Sequence, residues 1–335
     1  MNDRLAIGID LGGTKIAGAL TTHRGEVLAV SRRPTSAQLG SEAVLDALAA
    51  SIEELMAQAS APVAGIGVGC PGLIDPAAGV VLKAINLGWS NLPLLAGLRT
   101  RLGDDLPIYV QRDTVAGLLG EATLGAGQGC RDLVYLALGT GIGSASLVNG
   151  APVVGRNFTA SEIGHLVIDP AGRPWNDGLA GPAESLLSGS GVLAEAREQL
   201  ARAAYPTRLA NTPELSAIDV VQAAREGDKL ALAVMDKVAN WLARVIAMHT
   251  IILNPERIII GGGFGQAVFD LVLLPIWREL DKWALKEAHE QMQIVPSRLS
   301  SSALGASCLV WRGQESQRWE GVTNSEELRG APGDS

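Results

Sequence analysis

A glycine-rich turn between two apolar strands is the feature that most constrains the fold of this chain. Its first copy covers residues 5–20, LAIGIDLGGTKIAGAL, where a short apolar run leads into Asp10 and then into Gly12–Lys15. An apolar run bounded by turn residues is typical of a strand buried on both faces. Glycine has no Cβ, so its backbone N–H can approach an anion closely. Considered alone, this copy is explained equally well by a plain hairpin.

The same device occurs again about 130 residues later in the chain. A strand over residues 132–138 enters the turn Gly139–Gly143, and a return strand over 144–148 ends at Asn149-Gly150, a strong hairpin signal. A third glycine cluster, Gly261–Gly263, follows another short apolar strand. The repetition predicts a duplicated α/β domain whose two turns face each other across a cleft.

The rest of the chain alternates between helical and strand patterns. Apolar spacing predicts helices over residues 41–58 with Ser41 as N-cap, 94–102, 114–125, 234–253, 266–290 with a break near Pro275, and 303–312. Strands are predicted over residues 26–30, 63–69, 107–110 and 257–260. The order of these elements favours an α/β protein.

Composition excludes several classes of function. Net charge is −8 and the pI is about 5.1, with Lys and Arg scattered, so we expect no nucleic-acid partner. No apolar run reaches about 18 residues and no targeting segment precedes the first strand, so we expect a cytoplasmic protein without membrane contact. The three cysteines, Cys70, Cys130 and Cys308, lie in apolar or glycine-rich surroundings and indicate core thiols in a reducing compartment.

One motif is misleading. Gly67, Gly69 and Gly72 match the dinucleotide fingerprint G-x-G-x-x-G, which requires a helix at its third glycine and an acidic residue about 20 positions later. Pro71 and Pro76 forbid an immediate helix, and no acidic residue follows at the required distance. We therefore reject a dinucleotide site and expect the Pro71-Gly72 loop to line a small-ligand site.

Asp113 has two interpretations. It follows the strand predicted over 107–110 and precedes a helix, so an ordinary helix N-cap explains it. It also lies at the carboxyl end of a strand, where active sites of α/β proteins are found, and a general base is the alternative.

Seven motifs in a fixed order resemble the bacterial ROK sugar-kinase family. They are DLGGTK at Asp10–Lys15, PGLID at Pro71–Asp75, NLGW at Asn86–Trp89, RD at Arg112–Asp113, GTGIG at Gly139–Gly143, EIGH at Glu162–His165 and NPERIIIGGG at Asn254–Gly263. The similarity covers about residues 4–312. It implies the two-lobed actin/hexokinase-like (ribonuclease H-like) α/β fold, with duplicated domains and a cleft between them.

The resemblance also implies domain limits. The smaller N-terminal lobe covers residues 1–112 and is joined by a C-terminal helix at about 303–313. The larger lobe covers 113–302. The polar segment 314–335 is expected to be a disordered tail.

By resemblance, Asp113 is the base that takes the proton of a sugar hydroxyl as it attacks the γ-phosphate of ATP. Groups expected to hold ATP and its phosphates are Asp10, Gly12, Gly13, Thr14, Lys15, Gly139, Thr140, Gly141, Gly143, Gly261, Gly262 and Gly263. Asp10 also positions Mg²⁺, through water. The expected acceptor contacts are Gly72, Asn86, Arg112, Glu162, His165 and Glu184. The implied reaction is phosphorylation of a hexose, with glucose leading, on its primary hydroxyl.

Two departures from the family pattern fall on the acceptor side. The family's structural zinc motif, CxCGxxGCxE, aligns with residues 175–184, where Trp175, Asp177 and Pro182 replace the three cysteines. One His and one Asp cannot make a closed tetrahedral site, so we expect no zinc. Arg112 replaces the usual Asn, and it either turns outward onto a carboxylate or reshapes the substrate pocket.

These departures leave the acceptor open. A mannose-type sugar, an amino sugar or a cyclitol is the alternative to glucose. A sugar-responsive transcription regulator is a competing class, disfavoured because the first strand begins near Arg4, and a non-catalytic sugar-binding protein is a third. Since members of the family often form dimers, we expect a homodimer.

Overall fold

The computed structural model describes residues 4–175, 178–202 and 205–316. The strands, numbered in chain order, are β1 (Leu5–Leu11), β2 (Lys15–Thr22), β3 (Val27–Pro34), β4 (Val63–Cys70), β5 (Leu73–Asp75), β6 (Val80–Ala84), β7 (Trp89–Leu92), β8 (Ile108–Arg112), β9 (Leu133–Leu138), β10 (Ile142–Val148), β11 (Ala151–Pro152), β12 (Arg257–Gly261) and β13 (Gln293–Pro296). The helices are α1 (Ser41–Ala57), α2 (Leu94–Leu102), α3 (Asp113–Leu124), α4 (Ala183–Leu187), α5 (Gly189–Ala201), α6 (Ala217–Arg225), α7 (Lys229–Leu253), α8 (Gly263–Trp283), α9 (Lys286–His289) and α10 (Ser302–Ser316). The expected α/β class is confirmed.

The chain forms two compact units. The first unit takes the chain up to Gly120 and again from Ser300, and the second takes Glu121–Leu299. The lobe limits expected from the sequence stay a prediction, and the expected tail lies outside the described residues from position 317 onward.

The first unit is built on a five-stranded sheet of order β3-β2-β1-β4-β8, and β5, β6 and β7 form a small separate sheet. β1 is antiparallel to β2 and parallel to β4, and β8 is parallel to β4. The register pairs Asp10 with Gly69 and Cys70 with Arg112. The carboxyl ends of β1, β4 and β8 therefore meet at one edge of the sheet.

Glycines in β1 and β4 allow helix α10 to lie directly on the sheet backbone. A Cβ at Gly8 would stand 2.0 Å from the carbonyl oxygen of Ala303, and one at Gly67 would stand 2.0 Å from that of Ala306. Gly72 is followed by strand β5 rather than by a helix. The rejection of the dinucleotide fingerprint is thus confirmed, because Gly67 serves helix packing instead.

The second unit contains a sheet of order β11-β10-β9-β12-β13. β10 is antiparallel to β9, while β12 is parallel to β9 and pairs Gly261 with Ala137. Its core contains α7, a helix of 25 residues capped by Asp228, whose side chain accepts the N–H of Ala231 at 3.0 Å. No helix in the described part of the chain has the length and apolar character needed to cross a membrane.

Two local predictions are wrong. Helix α1 has Gly40 at its N-cap position, and Ser41 is its first residue. Helix α8 runs through Pro275 without ending there. A proline removes one helical hydrogen bond. The buried side chains of Val268, Val272, Ile276 and Leu280 keep helical spacing on both sides of Pro275 and hold α8 on the core.

A buried carboxylate joins the two ends of the second unit's chain. Glu121 is fully buried, and its carboxylate accepts the N–H groups of Ala126, Arg298 and Leu299 and the hydroxyl of Ser297. The first residue of this unit is therefore fixed to its last three.

Candidate functional site

One group of candidate residues lies in the first unit, at the sheet edge where β1, β4 and β8 end. Asp10 accepts a hydrogen bond from the side chain of Ser302; burial raises the pKa of Asp10, while Ser302 and the charge of Lys15 oppose the rise. Burial also raises the pKa of the Cys70 thiol, and the negative charges of Asp113 and Asp10 add to that rise. Both carboxylates therefore act on one fully buried thiol at the end of β4.

Asp113 is the first residue of α3, directly after β8. Its Oδ1 accepts the N–H of Thr114 at 2.7 Å, so the carboxylate lies at the N-terminus of α3, as the first helical residue rather than as the N-cap. A Cβ on Gly69 would stand 3.5 Å from the Cα of Asp113. Arg112 is only 5% exposed and so does not turn outward into solvent.

The β1–β2 turn is held by a residue that the sequence did not single out. The N–H of Gly12 donates to the carbonyl of Lys15 at 2.9 Å, which closes the turn. The hydroxyl of Thr35 donates to the carbonyl of Gly12 at 2.6 Å. The N–H of Thr35 donates to the carbonyl of Thr14 at 3.0 Å. Thr35 is fully buried. The turn is thus fixed through its carbonyl groups.

Two further predicted residues lie beside this edge. A Cβ at Gly13 would stand 3.3 Å from the Cβ of Asn86, so the exposed Asn86 lies next to the turn. Gly72 has a φ of +99°, and a Cβ there would lie 2.1 Å from the carbonyl oxygen of Lys83. Only glycine fits that position. The first unit therefore brings together Asp10, the turn, Asn86 and Asp113.

Another group of candidate residues lies in the second unit, where β9 ends and β10 begins. The N–H of Gly139 donates to the carbonyl of Gly141 at 2.8 Å, and the N–H of Gly189 donates to the carbonyl of Gly139 at 2.8 Å. Since Gly261 pairs with Ala137, the 261–263 cluster lies next to this turn.

The 261–263 cluster leads directly into a helix. Gly262 has a φ of +76°, and a Cβ there would meet the carbonyl oxygen of Leu138 at 2.2 Å. A Cβ on Gly263 would meet nothing within 4 Å, and Gly263 begins α8. A bare glycine at the start of a long helix suits a phosphate or adenosine group, because N–H groups and the helix dipole point outward there.

Three predicted acceptor residues converge on the second turn. The Oε2 of Glu184 accepts the N–H of Ile142 at 2.8 Å, and a Cβ at Gly141 would stand 2.8 Å from Oε1. Burial raises the pKa of Glu184; the Ile142 hydrogen bond and the charge of His165 oppose the rise, and the charge of Glu162 adds to it. Glu162 and His165 themselves are exposed. The second unit therefore joins acceptor residues directly to a predicted phosphate turn.

The described residues of the segment from Arg173 to Glu184 are held by bridges and hydrogen bonds within the second unit. Antiparallel bridges join Val167 to Pro182 and Pro174 to Ala180. The guanidinium of Arg173 donates to Glu198 at 2.7 Å and to the carbonyl of Gly191 at 2.8 Å, both on α5. These contacts anchor both arms of the loop.

The residues present do not fit the family's zinc ion. Neither Trp175 nor Pro182 has a side-chain atom that coordinates zinc, and Asp177 lies outside the described residues, as does Asn176. The indole of Trp175 instead meets the imidazole of His165 edge-to-face, with ring centroids 5.0 Å apart. Among the described residues, no group of three or more His, Cys, Asp and Glu side chains is arranged to hold a metal. That zinc is absent stays a prediction.

The residues at the β1–β2 turn suit Mg²⁺ and the phosphates of ATP. Oxygen ligands are what Mg²⁺ prefers, and the carboxylate of Asp10 lies at a strand end beside a glycine turn. Thr35, Ser302 and Gly189, which support these features, carry no local sequence signal because each acts on a distant segment.

Comparison with known proteins agrees with the geometry. The fold is that of the hexokinase-like ROK structures, among them a ROK family glucokinase from Streptomyces griseus in complex with glucose and AMPPNP: TM-score 0.77, 29% identity, covering 92% of this chain and 100% of that one. The ROK family model matches residues 6–312, and the chain belongs to the ROK family.

Relatives of two kinds are similar to this chain. A glucokinase of Thermotoga maritima is 34% identical over 310 residues, which cover 91% of this chain and 96% of that protein. A putative xylose repressor of a Caldicellulosiruptor species is 30% identical over 320 residues, which cover 92% of this chain and 78% of the repressor. Similarity to glucokinases in sequence and in structure supports an ATP-dependent sugar kinase, and a relative named as a repressor is also similar over most of this chain.

Proposed function

We propose that this protein is an ATP-dependent sugar kinase that phosphorylates a hexose on its primary hydroxyl, with glucose as the leading acceptor. The observation that carries the proposal is the edge of the first sheet, where Asp10, the β1–β2 turn and Asp113 lie together. Similarity to glucokinases over nearly the whole chain supports it.

In this reaction Asp113 takes the proton of the sugar hydroxyl while the hydroxyl oxygen forms a bond to the γ-phosphorus of ATP. The bond between that phosphorus and the bridging oxygen breaks, and ADP leaves. The Gly12–Lys15 and Gly139–Gly143 turns hold phosphate oxygens through backbone N–H groups. Asp10 would hold Mg²⁺, which would supply charge neutralisation for the phosphates.

The acceptor is recognised by Glu162, His165 and Glu184. Carboxylates and an imidazole accept from and donate to vicinal hydroxyls with defined geometry, which suits a hexose. Arg112, buried at the end of β8, reshapes the substrate pocket. Another sugar or a cyclitol as acceptor is the alternative within the same reaction class.

A sugar-responsive regulator is the second candidate, favoured by the similarity to the xylose repressor. Asp113 separates the two, because a regulator needs to bind sugar but has no use for a base at the hydroxyl.

The test is ADP release with Mg-ATP over hexoses, amino sugars and cyclitols. Asp113→Asn should lower kcat by about 10²–10⁴ while sugar binding survives, since a positioned base contributes about that factor. Asp105→Asn, a change of an exposed loop aspartate in the same unit, is the matched control and should keep the wild-type rate. An unchanged rate in Asp113→Asn would show that the base assignment is wrong. Sugar binding without ADP release from any acceptor would favour the regulator.

We also propose a cytoplasmic homodimer that binds neither nucleic acid nor membrane. Analytical ultracentrifugation at micromolar concentration checks the assembly, and a single monomeric species would contradict it.

A further inference from the structure

Trp175 contacts His165 at a position where the family pattern has a zinc site. In the family pattern that His is a metal ligand, and a metal fixes the orientation of an imidazole. Here the position of the first cysteine holds an indole, and its ring lies 5.0 Å from that of His165 at an interplanar angle of 66°. Edge-to-face geometry at this distance is the favoured arrangement of two aromatic rings.

The backbone around Trp175 is fixed well enough to hold that ring in place. Its N–H donates to the carbonyl of Leu179 at 2.8 Å, and the N–H of Gly178 donates to the carbonyl of Trp175 at 2.8 Å. The neighbouring Pro174 forms a bridge with Ala180, and Arg173 is tied to α5. The indole is thus carried by a residue whose own backbone and whose described neighbours are anchored by hydrogen bonds.

Within the described part of the chain, Trp175 provides the ring contact of His165. His165 is exposed and ends a single turn of 3₁₀ helix over Ile163–His165, so packing leaves its ring orientation weakly determined. The charge of His165 acts on Glu184, the carboxylate that rests on the β9–β10 turn. An error in the orientation of His165 would therefore disturb the acceptor side of the site.

We propose that Trp175 is a positioning residue that fixes the imidazole of His165 for acceptor binding, in place of a metal ion. The inference rests on the proposed function in one respect, that His165 contacts a sugar. Its consequence is metal-independent acceptor binding that depends on an aromatic ring at position 175.

Two measurements test it, one structural and one on binding. The chain has four histidines, so the imidazole proton resonances can be assigned singly by NMR. Trp175→Leu, which keeps apolar bulk but removes the ring, should move the His165 resonances by the loss of the ring-current shift. Trp175→Phe should retain part of that shift. Circular dichroism establishes that each variant is folded.

The binding measurement is calorimetric titration of the full chain with glucose, or with the acceptor that the ADP-release screen selects. Trp175→Leu should weaken binding roughly two- to tenfold, the range expected for loss of one aromatic pair, and Trp175→Phe should restore most of it. Because binding is measured without turnover, a failure of the kinase assignment leaves this test intact.

A second tryptophan–histidine pair in the same unit provides the control. Trp277 and His289 have ring centroids 6.2 Å apart, and neither is a candidate site residue. Trp277→Leu should move only the His289 resonances and leave sugar affinity unchanged.

The proposal is overturned if Trp175→Leu leaves the His165 resonances in place, or moves them without changing sugar affinity. It is also overturned if metal analysis of the active protein finds about one zinc per chain whose removal by a chelator reproduces the Trp175→Leu effect.

Discussion

The two glycine turns share a backbone plan but are anchored in different ways. The β1–β2 turn is held through its carbonyl groups by Thr35, a neutral and fully buried residue. The β9–β10 turn is held by the N–H of Gly189 and by the carboxylate of Glu184, which is also within electrostatic reach of His165 and Glu162. One anchor is purely structural, whereas the other also belongs to the predicted acceptor site.

This difference has a functional consequence. If Glu184 contacts the sugar as proposed, the sugar hydroxyls will compete with, or reinforce, its hydrogen bond to the N–H of Ile142. The proposal therefore predicts that acceptor binding is coupled to the geometry of the β9–β10 turn. It predicts no such coupling for the β1–β2 turn, because Thr35 is not a proposed acceptor contact. Substitutions at the two anchors should separate the two roles.

Among the residues that anchor the two turns, the largest effect is expected at Glu184. Glu184→Ala leaves the N–H of Ile142 without its acceptor and removes a sugar contact, so KM should rise about 10- to 100-fold for ATP as well as for sugar, given about 1.5–3 kcal/mol for a charged hydrogen bond. Steady-state kinetics with each substrate varied in turn measures both values.

Glu184→Gln sharpens that result. Its amide oxygen can still accept from Ile142, so KM for ATP should stay near the wild-type value while KM for sugar rises. A Glu184→Ala variant in which only the sugar KM changes would show that the turn does not depend on this carboxylate.

The pH dependence of acceptor binding follows from the same residue. Burial holds the pKa of Glu184 above the ordinary glutamate value, so its charge is lost at a higher pH than usual as the solution is acidified. Only the ionised form gives a charged acceptor for a sugar hydroxyl. As the pH is lowered, sugar affinity should therefore begin to fall at a pH above the usual pKa range of glutamate. Glu184→Gln should remove that part of the pH profile.

The sequence alone predicted those elements that are determined by residues close together in the chain. The two hairpins, the 261–263 cluster and helix α2 over Leu94–Leu102 were predictable because apolar periodicity and glycine turns are local signals. The contacts that anchor the turns were not, since Thr35 lies 23 residues from Gly12 and Glu184 lies 42 residues from Ile142.

The same limit explains two misleading signals. Gly67 serves the approach of a helix that lies more than 200 residues later in the chain. Pro275 does not break α8 because tertiary packing outweighs its local effect. Local patterns therefore predicted the strands and turns that carry the candidate residues, the family resemblance supplied the candidate residues themselves, and long-range packing decided how each turn is supported.

A smaller effect is expected at Thr35. Thr35→Val keeps the shape but removes the hydroxyl that donates to Gly12, which costs about 1 kcal/mol and loosens the β1–β2 turn. KM for ATP should rise about fivefold with KM for sugar unchanged. Thr21→Val, which removes a buried hydroxyl from β2 at a 3.4 Å contact with the carbonyl of Ala6, is the matched control. An equal rise in both KM values would contradict the assignment of Thr35 to the phosphate side alone.

The smallest effect is expected at Ser302. Each turn has one carboxylate whose pKa burial raises, Glu184 in the second unit and Asp10 in the first, where the hydroxyl of Ser302 opposes the rise. Ser302→Ala should raise the pKa of Asp10 further, so Asp10 becomes protonated at a higher pH. The acid limb of the kcat/KM profile should therefore move to higher pH.

Ionisation of Asp10 has opposite effects on activity and on folding stability: it favours activity and destabilises the fold. A carboxyl group with a raised pKa in the folded state destabilises the fold as pH rises through that pKa, because the ionised form is the one that burial disfavours. Ser302→Ala should therefore lower the thermal midpoint slightly at neutral pH and have less effect below the pKa of Asp10. Thermal unfolding across pH measures this difference. A midpoint loss of equal size at every pH would show that Ser302 acts through helix packing rather than through Asp10, and the first unit's carboxylate would then be tuned by burial and Lys15 alone.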